Sequence, residues 1–144
     1  MELIDCVNFE LNSAQNAVFQ FFKGRLAPYD ITPIQYALLK CLWTEDLQTP
    51  TQLSQALRLD TSSITGILAR LEKKELIERV YNQQDRRSIH VHLLERGAAL
   101  EEPIEAAMSQ ANAEITAGIA PEDYACFRNQ LRLIEANAKA LSSK

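Results

Sequence analysis

The chain has 144 residues, of which 47% are hydrophobic and 24% are charged, and its formal net charge at pH 7 is −4. It lacks the basic and apolar segments of a signal peptide, no run approaches the ~18 apolar residues that span a bilayer, and three widely separated cysteines form neither a disulfide framework nor a zinc cluster. We therefore expect a cytoplasmic protein with reduced thiols and no membrane contact, built as one domain or as a small domain with an oligomerisation element.

The first half of the chain predicts three helices. Apolar residues recur every three or four positions over about Glu2 to Leu26, which predicts a first helix there. The segments TPIQ (32–35) and TPTQ (49–52) each place Thr at an N-cap, Pro at the first helical position and Gln at the third. They predict a second helix over about Pro33 to Thr44 and a short third helix over about Pro50 to Leu57.

A fourth helix, capped by Asp60 or Thr61, carries one face of small and polar residues. Its apolar side consists of Ile64, Ile67, Leu68 and Leu71, and the opposite side consists of Ser62, Thr65, Gly66, Ala69 and Arg70. A face that meets only water would normally carry Lys and Glu, and a mid-helix Gly costs ~1 kcal/mol relative to Ala. We interpret this face as one that a partner approaches closely; the alternative is packing against another helix.

A hairpin with a charged turn follows this helix. Apolar residues alternate with His90 and His92 over 89–93, which predicts a half-buried strand, and its predicted partner runs from Ile77 to Tyr81. The turn between the strands carries Asp85, Arg86 and Arg87. An arginine at such a tip can enter a minor groove while a carboxylate holds its orientation. The alternative is an exposed turn whose surface ion pair contributes almost nothing to stability.

A helix with a small, polar face followed by a basic hairpin is the layout of a winged helix-turn-helix, in which the helix enters the major groove and the wing lies beside it. The charge distribution agrees with this layout. The segment from Arg58 to Arg96 has a net charge of +2, whereas the remainder of the chain has a net charge of −6. DNA binding is therefore the leading hypothesis.

The C-terminal third predicts two long helices. The first covers about Glu95 to Gly118, with a kink or a late start near Pro103, and the second opens at Pro121. The apolar residues of the second helix follow a heptad spacing: Tyr124, Phe127, Leu131, Ile134, Ala138 and Leu141. We predict dimerisation helices over 1–30 and 95–144 around a DNA-binding domain over 31–94; the alternative is one globular helical bundle.

The order of elements, the segment SSITGILARLEKKELIERV (62–80), the motif Asp85-Arg86-Arg87-Ser88 and the following LLERGAAL (93–100) resemble the MarR family of bacterial transcription regulators. The resemblance implies a mainly α fold with a small β-wing and a homodimer that binds an inverted repeat in double-stranded DNA. Two-fold symmetry would set the half-sites ~34–36 Å apart. Glu75 departs from the family, whose members often carry Gly where the recognition helix ends, so this helix should end in another way.

The resemblance also implies which residues contact DNA. Base edges and phosphates would be met at the start of the fourth helix by Thr61, Ser62, Ser63 and Thr65. Arg70 would contact the backbone or a base. Arg87 would enter the minor groove, oriented by Asp85, and Arg86 would lie on a phosphate.

Family members usually respond to a small anionic or phenolic ligand, and some sense oxidants through a cysteine in the first helix. For a ligand pocket we select the polar or aromatic residues Phe9, Asn12, Asn16 and Tyr36 on the first two helices. Cys6 lies in the predicted first helix, which allows oxidant sensing as an alternative. It lies two residues before the position expected of a sensing cysteine, so we favour the small ligand.

The sequence shows no motif that predicts catalysis or cofactor binding. It contains no nucleophile–base pair, Gly-rich phosphate loop or cofactor motif, so we expect no enzymatic activity and no cofactor. His90 and His92 lie two residues apart on a strand, but without an acidic cluster they predict a solvated strand and not a metal site. The prediction is a homodimeric repressor released by a small ligand; the alternative is a winged-helix module that binds protein.

Overall fold

The computed structural model describes residues 1–81, 84 and 88–144, and this part of the chain contains seven α-helices and two antiparallel strands. In chain order they are α1 (Val7–Leu26), α2 (Pro33–Thr44), α3 (Pro50–Leu57), α4 (Thr61–Lys73), β1 (Ile77–Tyr81), β2 (Ile89–Leu93), α5 (Glu95–Ala99), α6 (Glu101–Ile115) and α7 (Pro121–Ser142). The predicted fold class, mainly α with a small β-wing, is confirmed. The chain divides into two compact units, Met1–Met108 and Ser109–Lys144.

The two Thr-Pro-x-Gln segments start α2 and α3 at the predicted residues. In the first, the Thr32 hydroxyl accepts the backbone N–H of Gln35 (3.2 Å), and the Gln35 side-chain oxygen accepts the backbone N–H of Thr32 (3.1 Å). Thr49 and Gln52 repeat this reciprocal pair at 3.1 and 2.8 Å. Each reciprocal pair is a capping box, which provides acceptors for backbone N–H groups that have no partner within the helix. The start of each helix is therefore specified locally.

Two predicted helices differ in extent from the structure. The first helix begins at Val7 and not at Glu2, because Cys6 has an extended backbone (φ −82°, ψ 111°) and Leu3–Asp5 form a separate 3₁₀ turn. The predicted helix over Glu95 to Gly118 is two helices, α5 and α6, that meet at Leu100. Pro103 cannot donate the hydrogen bond that a continuous helix would direct to the carbonyl four residues earlier, which favours a break there.

The core of the first unit lies between α2, α3, α4 and the two-stranded sheet. Its most deeply buried side chains are each 1% exposed or less: Leu38, Leu39 and Leu42 of α2, Leu53 of α3, Ile64, Leu68 and Leu71 of α4, Ile77 of β1 and Val91 of β2. Burial of each such side chain contributes roughly 1.5–3 kcal/mol relative to an exposed one. This core fixes α4 relative to the sheet.

The sheet is held on one side by α5. Strands β1 and β2 pair from Ile77↔Leu93 to Tyr81↔Ile89. A Cβ on Gly97 of α5 would lie 2.2 Å from the carbonyl oxygen of Leu76, so a larger residue would push the helix away from the start of β1. The Gly97 carbonyl in turn accepts the indole N–H of Trp43 on α2 at 2.9 Å. Gly97 therefore joins three elements of this unit.

The first and last helices leave apolar side chains uncovered. Leu26 is the one buried residue of α1, which the structure describes in full, and α7, also described in full, has no buried residue. Phe9, Val18 and Phe19 of α1 and Phe127, Leu133 and Leu141 of α7 are large apolar residues that stay exposed. Across the described residues, neither these helices nor any other is both long and apolar enough to cross a bilayer.

Candidate nucleic-acid interface

Helices α3 and α4 form a helix-turn-helix in which α4 has one buried and one exposed face. The two helices pack on each other, and the buried face of α4 consists of the four residues that the sequence predicted: Ile64, Ile67, Leu68 and Leu71. The opposite face is exposed at Thr61, Ser62, Ser63, Thr65, Ala69 and Arg70. The predicted partner face therefore faces solvent and packs against no other helix of the described residues.

Gly66 lies in the middle of this exposed face. Apart from its two chain neighbours and the backbone of its own helix, no atom of the described chain would come within 4 Å of a Cβ built at this position. Its backbone dihedrals are helical, so the free protein has no steric need for glycine there. Glycine nevertheless lowers helix stability by ~1 kcal/mol relative to alanine. The described residues thus give no steric reason for glycine at this position.

The N-terminus of α4 is organised by Asp60, the N-cap residue. Its Oδ1 atom accepts the backbone N–H of Ser63 at 2.7 Å and the hydroxyl of Ser62 at 2.7 Å. These hydrogen bonds, first that of the Ser63 N–H and then that of the Ser62 hydroxyl, lower the pKa of Asp60 below its ordinary value. The carboxylate is thus ionised at neutral pH and caps the helix.

The wing is attached to α4 by an ion pair. Both Nε and Nη2 of Arg79 on β1 donate to Oε2 of Glu72 on α4, at 3.0 and 2.7 Å. Glu72 belongs to the helix predicted to enter the major groove, and Arg79 belongs to the strand that leads to the wing turn. Their contact therefore helps to set the distance between this helix and the wing.

The other edge of the wing is held by the loop between α2 and α3. The Gln48 carbonyl accepts the Val91 N–H at 2.8 Å, and Asp46 Oδ1 accepts the Leu93 N–H at 2.8 Å. The second oxygen of Asp46 lies 2.7 Å from Nδ1 of His92. This loop covers an edge that would otherwise present two unpaired N–H groups, and so it holds β2 in place.

Sequence reasoning missed these attachments of the wing. Asp46 and His92 are 46 residues apart, and no periodicity or motif links them. His92 bonds to this carboxylate, and the described residues contain no cluster of three or more His, Cys, Asp or Glu that could hold a metal ion. The predicted wing residues Asp85, Arg86 and Arg87 lie outside the described residues.

The end of the recognition helix adopts the conformation that glycine would favour. Glu75 has a left-handed backbone (φ 61°), and the Leu76 N–H bonds to the Leu71 carbonyl at 3.1 Å, as in a glycine-terminated helix. Our expectation that Glu75 would end the helix in another way is therefore wrong. Its side chain accepts a hydrogen bond from Arg96 Nη1 at 2.9 Å, in an exposed pair.

Lys74, the C-cap of α4, connects this helix with the corner between α1 and α2. Its Nζ donates to the carbonyl of Asp30 and, at 3.0 Å, to Oε1 of the buried Gln35. Gln35 is the same residue that caps α2. A cavity of about 140 Å³ lies at this corner and is lined by Tyr29, Asp30, Lys74, Leu76, Arg96 and Leu100. The side chain of Lys74 thus links the end of α4 to the residues around this cavity.

The four predicted ligand residues lie on α1 and α2. Phe9, Asn12 and Asn16 are exposed along α1, whereas Tyr36 of α2 is half-buried and donates its hydroxyl hydrogen to Oε1 of Glu105 at 3.2 Å. Burial, followed by the charge and the hydrogen bond of Glu105, raises the pKa of Tyr36 to about 12. Tyr36 is thus a neutral phenol at physiological pH, and Lys40 lies nearby because it donates to the same carboxylate at 2.5 Å.

The packed helix-turn-helix, the exposed face of α4 and the attached wing define a winged helix-turn-helix protein, a class that binds DNA. The sequence profile of the MarR family matches residues 31–89. The organic hydroperoxide resistance transcriptional regulator of Bacillus subtilis is 32% identical over 102 residues, which are 71% of this chain and 69% of that protein.

Two solved structures agree with this classification. A probable transcriptional regulator from Pseudomonas aeruginosa superposes with a TM-score of 0.85 and 27% identity over 92% of this chain and 99% of its own. The structure of reduced AbfR bound to DNA superposes with a TM-score of 0.79 and 25% identity, and the match covers 99% of this chain and 96% of AbfR. The chain belongs to the MarR family of winged-helix regulators and is a sequence-specific DNA-binding transcriptional regulator.

Proposed function

We propose that this regulator is a cytoplasmic, non-enzymatic homodimer that represses transcription from an inverted-repeat operator and leaves it when a small anionic or phenolic ligand binds. The observation that carries the proposal is the exposed face of α4, which consists of small and polar residues. This face lies beside a wing whose base is attached to the same helix through Glu72 and Arg79. A surface of this kind matches the width and the polar edges of the major groove.

The proposed DNA contacts divide into two groups. The first turns of α4 supply Thr61, Ser62, Ser63 and Thr65 for base edges and phosphates, and Arg70 follows for the backbone or a base. The wing supplies Arg87 for the minor groove, Asp85 to orient it, and Arg86 for a phosphate. Changes in the first group should alter sequence preference, whereas changes in the second should weaken binding to all sequences.

The proposed dimer rests on the exposed apolar side chains of α1 and α7. Phe127, Ile134 and Leu141 follow the heptad spacing of α7 and are 52%, 36% and 69% exposed, which is unusual for side chains at such positions unless a second helix covers them. A second copy of the chain is the occupant that a two-fold operator requires.

For the effector we propose the surface that carries Phe9, Asn12, Asn16 and Tyr36. The Tyr36 hydroxyl donates its hydrogen to Glu105 and so offers lone pairs that accept a hydrogen bond from a phenolic ligand. Lys40, which has ammonium hydrogens beyond the one bonded to Glu105, offers the positive charge that an anionic ligand needs. The contact of Lys74 with Asp30 and Gln35 supports a route from this region to α4, because it joins the end of that helix to the start of α2.

Salt-dependent binding to the DNA upstream of the protein's own gene tests the proposal. We expect tight, salt-sensitive binding by the parent and a loss of at least about tenfold for Arg87→Ala, together with a shallower salt dependence. Lys23→Ala, which removes one exposed positive charge from α1, is the matched control and should bind as the parent does. Weak binding without sequence preference, unchanged by Arg87→Ala, would favour the alternative of a protein-interaction module.

A second candidate, release by oxidants, is favoured by the similarity to a regulator named for organic hydroperoxide resistance. Cys6 is half-buried and immediately precedes α1. If this candidate holds, organic hydroperoxide should release the parent and the Cys41→Ser and Cys126→Ser variants from DNA but should leave Cys6→Ser bound. Release of all four proteins, or of none, would rule out Cys6 as the sensor.

A further inference from the structure

We infer that Ser62 and Thr65 act on DNA as hydrogen-bond acceptors and that they bind the exocyclic amino groups of adenine or cytosine in the major groove. The inference rests on the proposed placement of α4 in that groove. It adds the chemical polarity of the contact, which neither the family nor the exposure of the two residues specifies.

The hydrogen bond of Ser62 has a fixed direction. Asp60 Oδ1, 2.7 Å from the Ser62 hydroxyl, also accepts the backbone N–H of Ser63 at 2.7 Å and belongs to an ionised carboxylate. An ionised carboxylate can only accept hydrogen bonds, so the Ser62 hydroxyl must be the donor. A serine hydroxyl has a single hydrogen, and what remains available to a partner is therefore its lone pairs.

Thr65 is constrained in the same way by a different acceptor. Its Oγ1 lies 2.9 Å from the backbone carbonyl oxygen of Thr61, one helical turn earlier. A carbonyl oxygen has no hydrogen to give, so the Thr65 hydroxyl is again the donor. Thr65 therefore also presents lone pairs, and the two residues, three positions apart, lie on the same exposed face of α4.

The polarity of this surface selects a chemical group in the groove. The hydrogen-bond donors that bases display in the major groove are the N6 amino group of adenine and the N4 amino group of cytosine, whereas guanine and thymine display acceptors there. The ionised carboxylate of Asp60 beside Ser62 strengthens the preference, because it would repel an acceptor oxygen and favour an amino group. Arg70, further along the face, contributes donors of the opposite polarity.

The first step of the test identifies the base pairs that the two hydroxyls read. Operators are selected from a random DNA library with the parent, Ser62→Ala and Thr65→Val. Thr44→Val is the matched control, because the Thr44 hydroxyl makes the same bond to the carbonyl four residues earlier (Lys40, 2.9 Å) on α2. We expect each recognition-helix variant to relax the preference at one base pair by roughly fivefold, and we expect the control to select the parent's sequence.

The second step removes single atoms from that base pair, because every base pair contains one such amino group and a sequence preference alone does not show which atom is bound. Adenine is replaced by purine, or cytosine by 2-pyrimidinone, to remove the amino group. Replacing the purine by its 7-deaza analogue removes the N7 acceptor instead. The parent should bind the DNA without the amino group with roughly fivefold lower affinity. The variant that no longer prefers this base pair should bind the DNA with and without the amino group equally well. Loss of N7 should affect the parent and the variant equally.

The opposite coupling would overturn the inference: a variant insensitive to the loss of N7 but still sensitive to the loss of the amino group shows that the hydroxyl donates. Unchanged selection by both variants would also overturn it. If the parent itself selects no sequence, the proposed function fails and the inference fails with it, and this outcome is visible before any variant is measured.

Discussion

Helices α4 and α7 both carry a regular apolar stripe, yet the stripe of α4 is buried, whereas α7, which the structure describes in full, has no buried residue. In α4, Ile64, Leu68 and Leu71 are 1% exposed or less. In α7, no residue of the heptad seam is buried, and Phe127 and Leu141 are 52% and 69% exposed. Periodicity therefore identifies the apolar side of a helix but does not identify what covers it. A covered stripe stabilises the fold, whereas an uncovered one can stabilise an assembly.

The largest effect is expected in α4. Leu68→Ala removes three carbon atoms from a side chain that is 1% exposed, so it should lower the free energy of unfolding by about 3 kcal/mol through lost burial and an unfilled cavity. Urea denaturation monitored by circular dichroism measures this loss. A loss below about 1 kcal/mol would show that the stripe of α4 contributes no more to stability than an exposed one.

A similar effect on assembly is expected in α7. Phe127→Glu combined with Ile134→Glu places two charges on the exposed stripe and should raise the dimer dissociation constant at least ~100-fold, about 2.7 kcal/mol. Analytical ultracentrifugation measures this change. Asn129→Glu, on the opposite side of the heptad, is the control and should leave the association unchanged. Equal behaviour of the parent and the double variant would show that the seam of α7 does not mediate the dimer.

A smaller effect is expected from the polar contacts that hold β2. Asp46→Ala leaves the Leu93 N–H without its acceptor and His92 without its carboxylate, which should cost about 1–2 kcal/mol of stability. Asp46→Asn keeps an acceptor oxygen and should lose less.

If Asp46 positions the wing, Asp46→Ala should also weaken operator binding severalfold in the parent but not in an Arg87→Ala background. Additive losses in the two backgrounds would show that Asp46 affects stability alone.

The smallest predicted change stabilises the protein. Glu75→Gly relieves a left-handed backbone that a residue with a Cβ adopts at a cost, and it removes only an exposed ion pair with Arg96. The free energy of unfolding should rise by up to about 1 kcal/mol, which thermal denaturation can measure. A decrease would show that the ion pair outweighs the backbone strain.

Sequence reasoning predicted those features whose chemistry is local. The starts of α2 and α3 follow from a Thr and a Gln three residues apart, and the buried face of α4 follows from its spacing. The start of α1 was missed because Cys6 has no side-chain oxygen with which to cap a helix, so no residue marks the boundary. The attachment of Asp46 to β2 was missed because it depends on tertiary packing between distant segments.

The hydrogen bond from Trp43 to Gly97 gives the protein an internal optical reporter. Trp43 is the single tryptophan of the chain, and its indole N–H bonds to the carbonyl of a residue that packs directly on the start of β1. Its fluorescence therefore arises from one place, where α2, α5 and the base of the wing meet. Any ligand or DNA that shifts these elements should change the emission wavelength or intensity, so titrations can be followed without an added label.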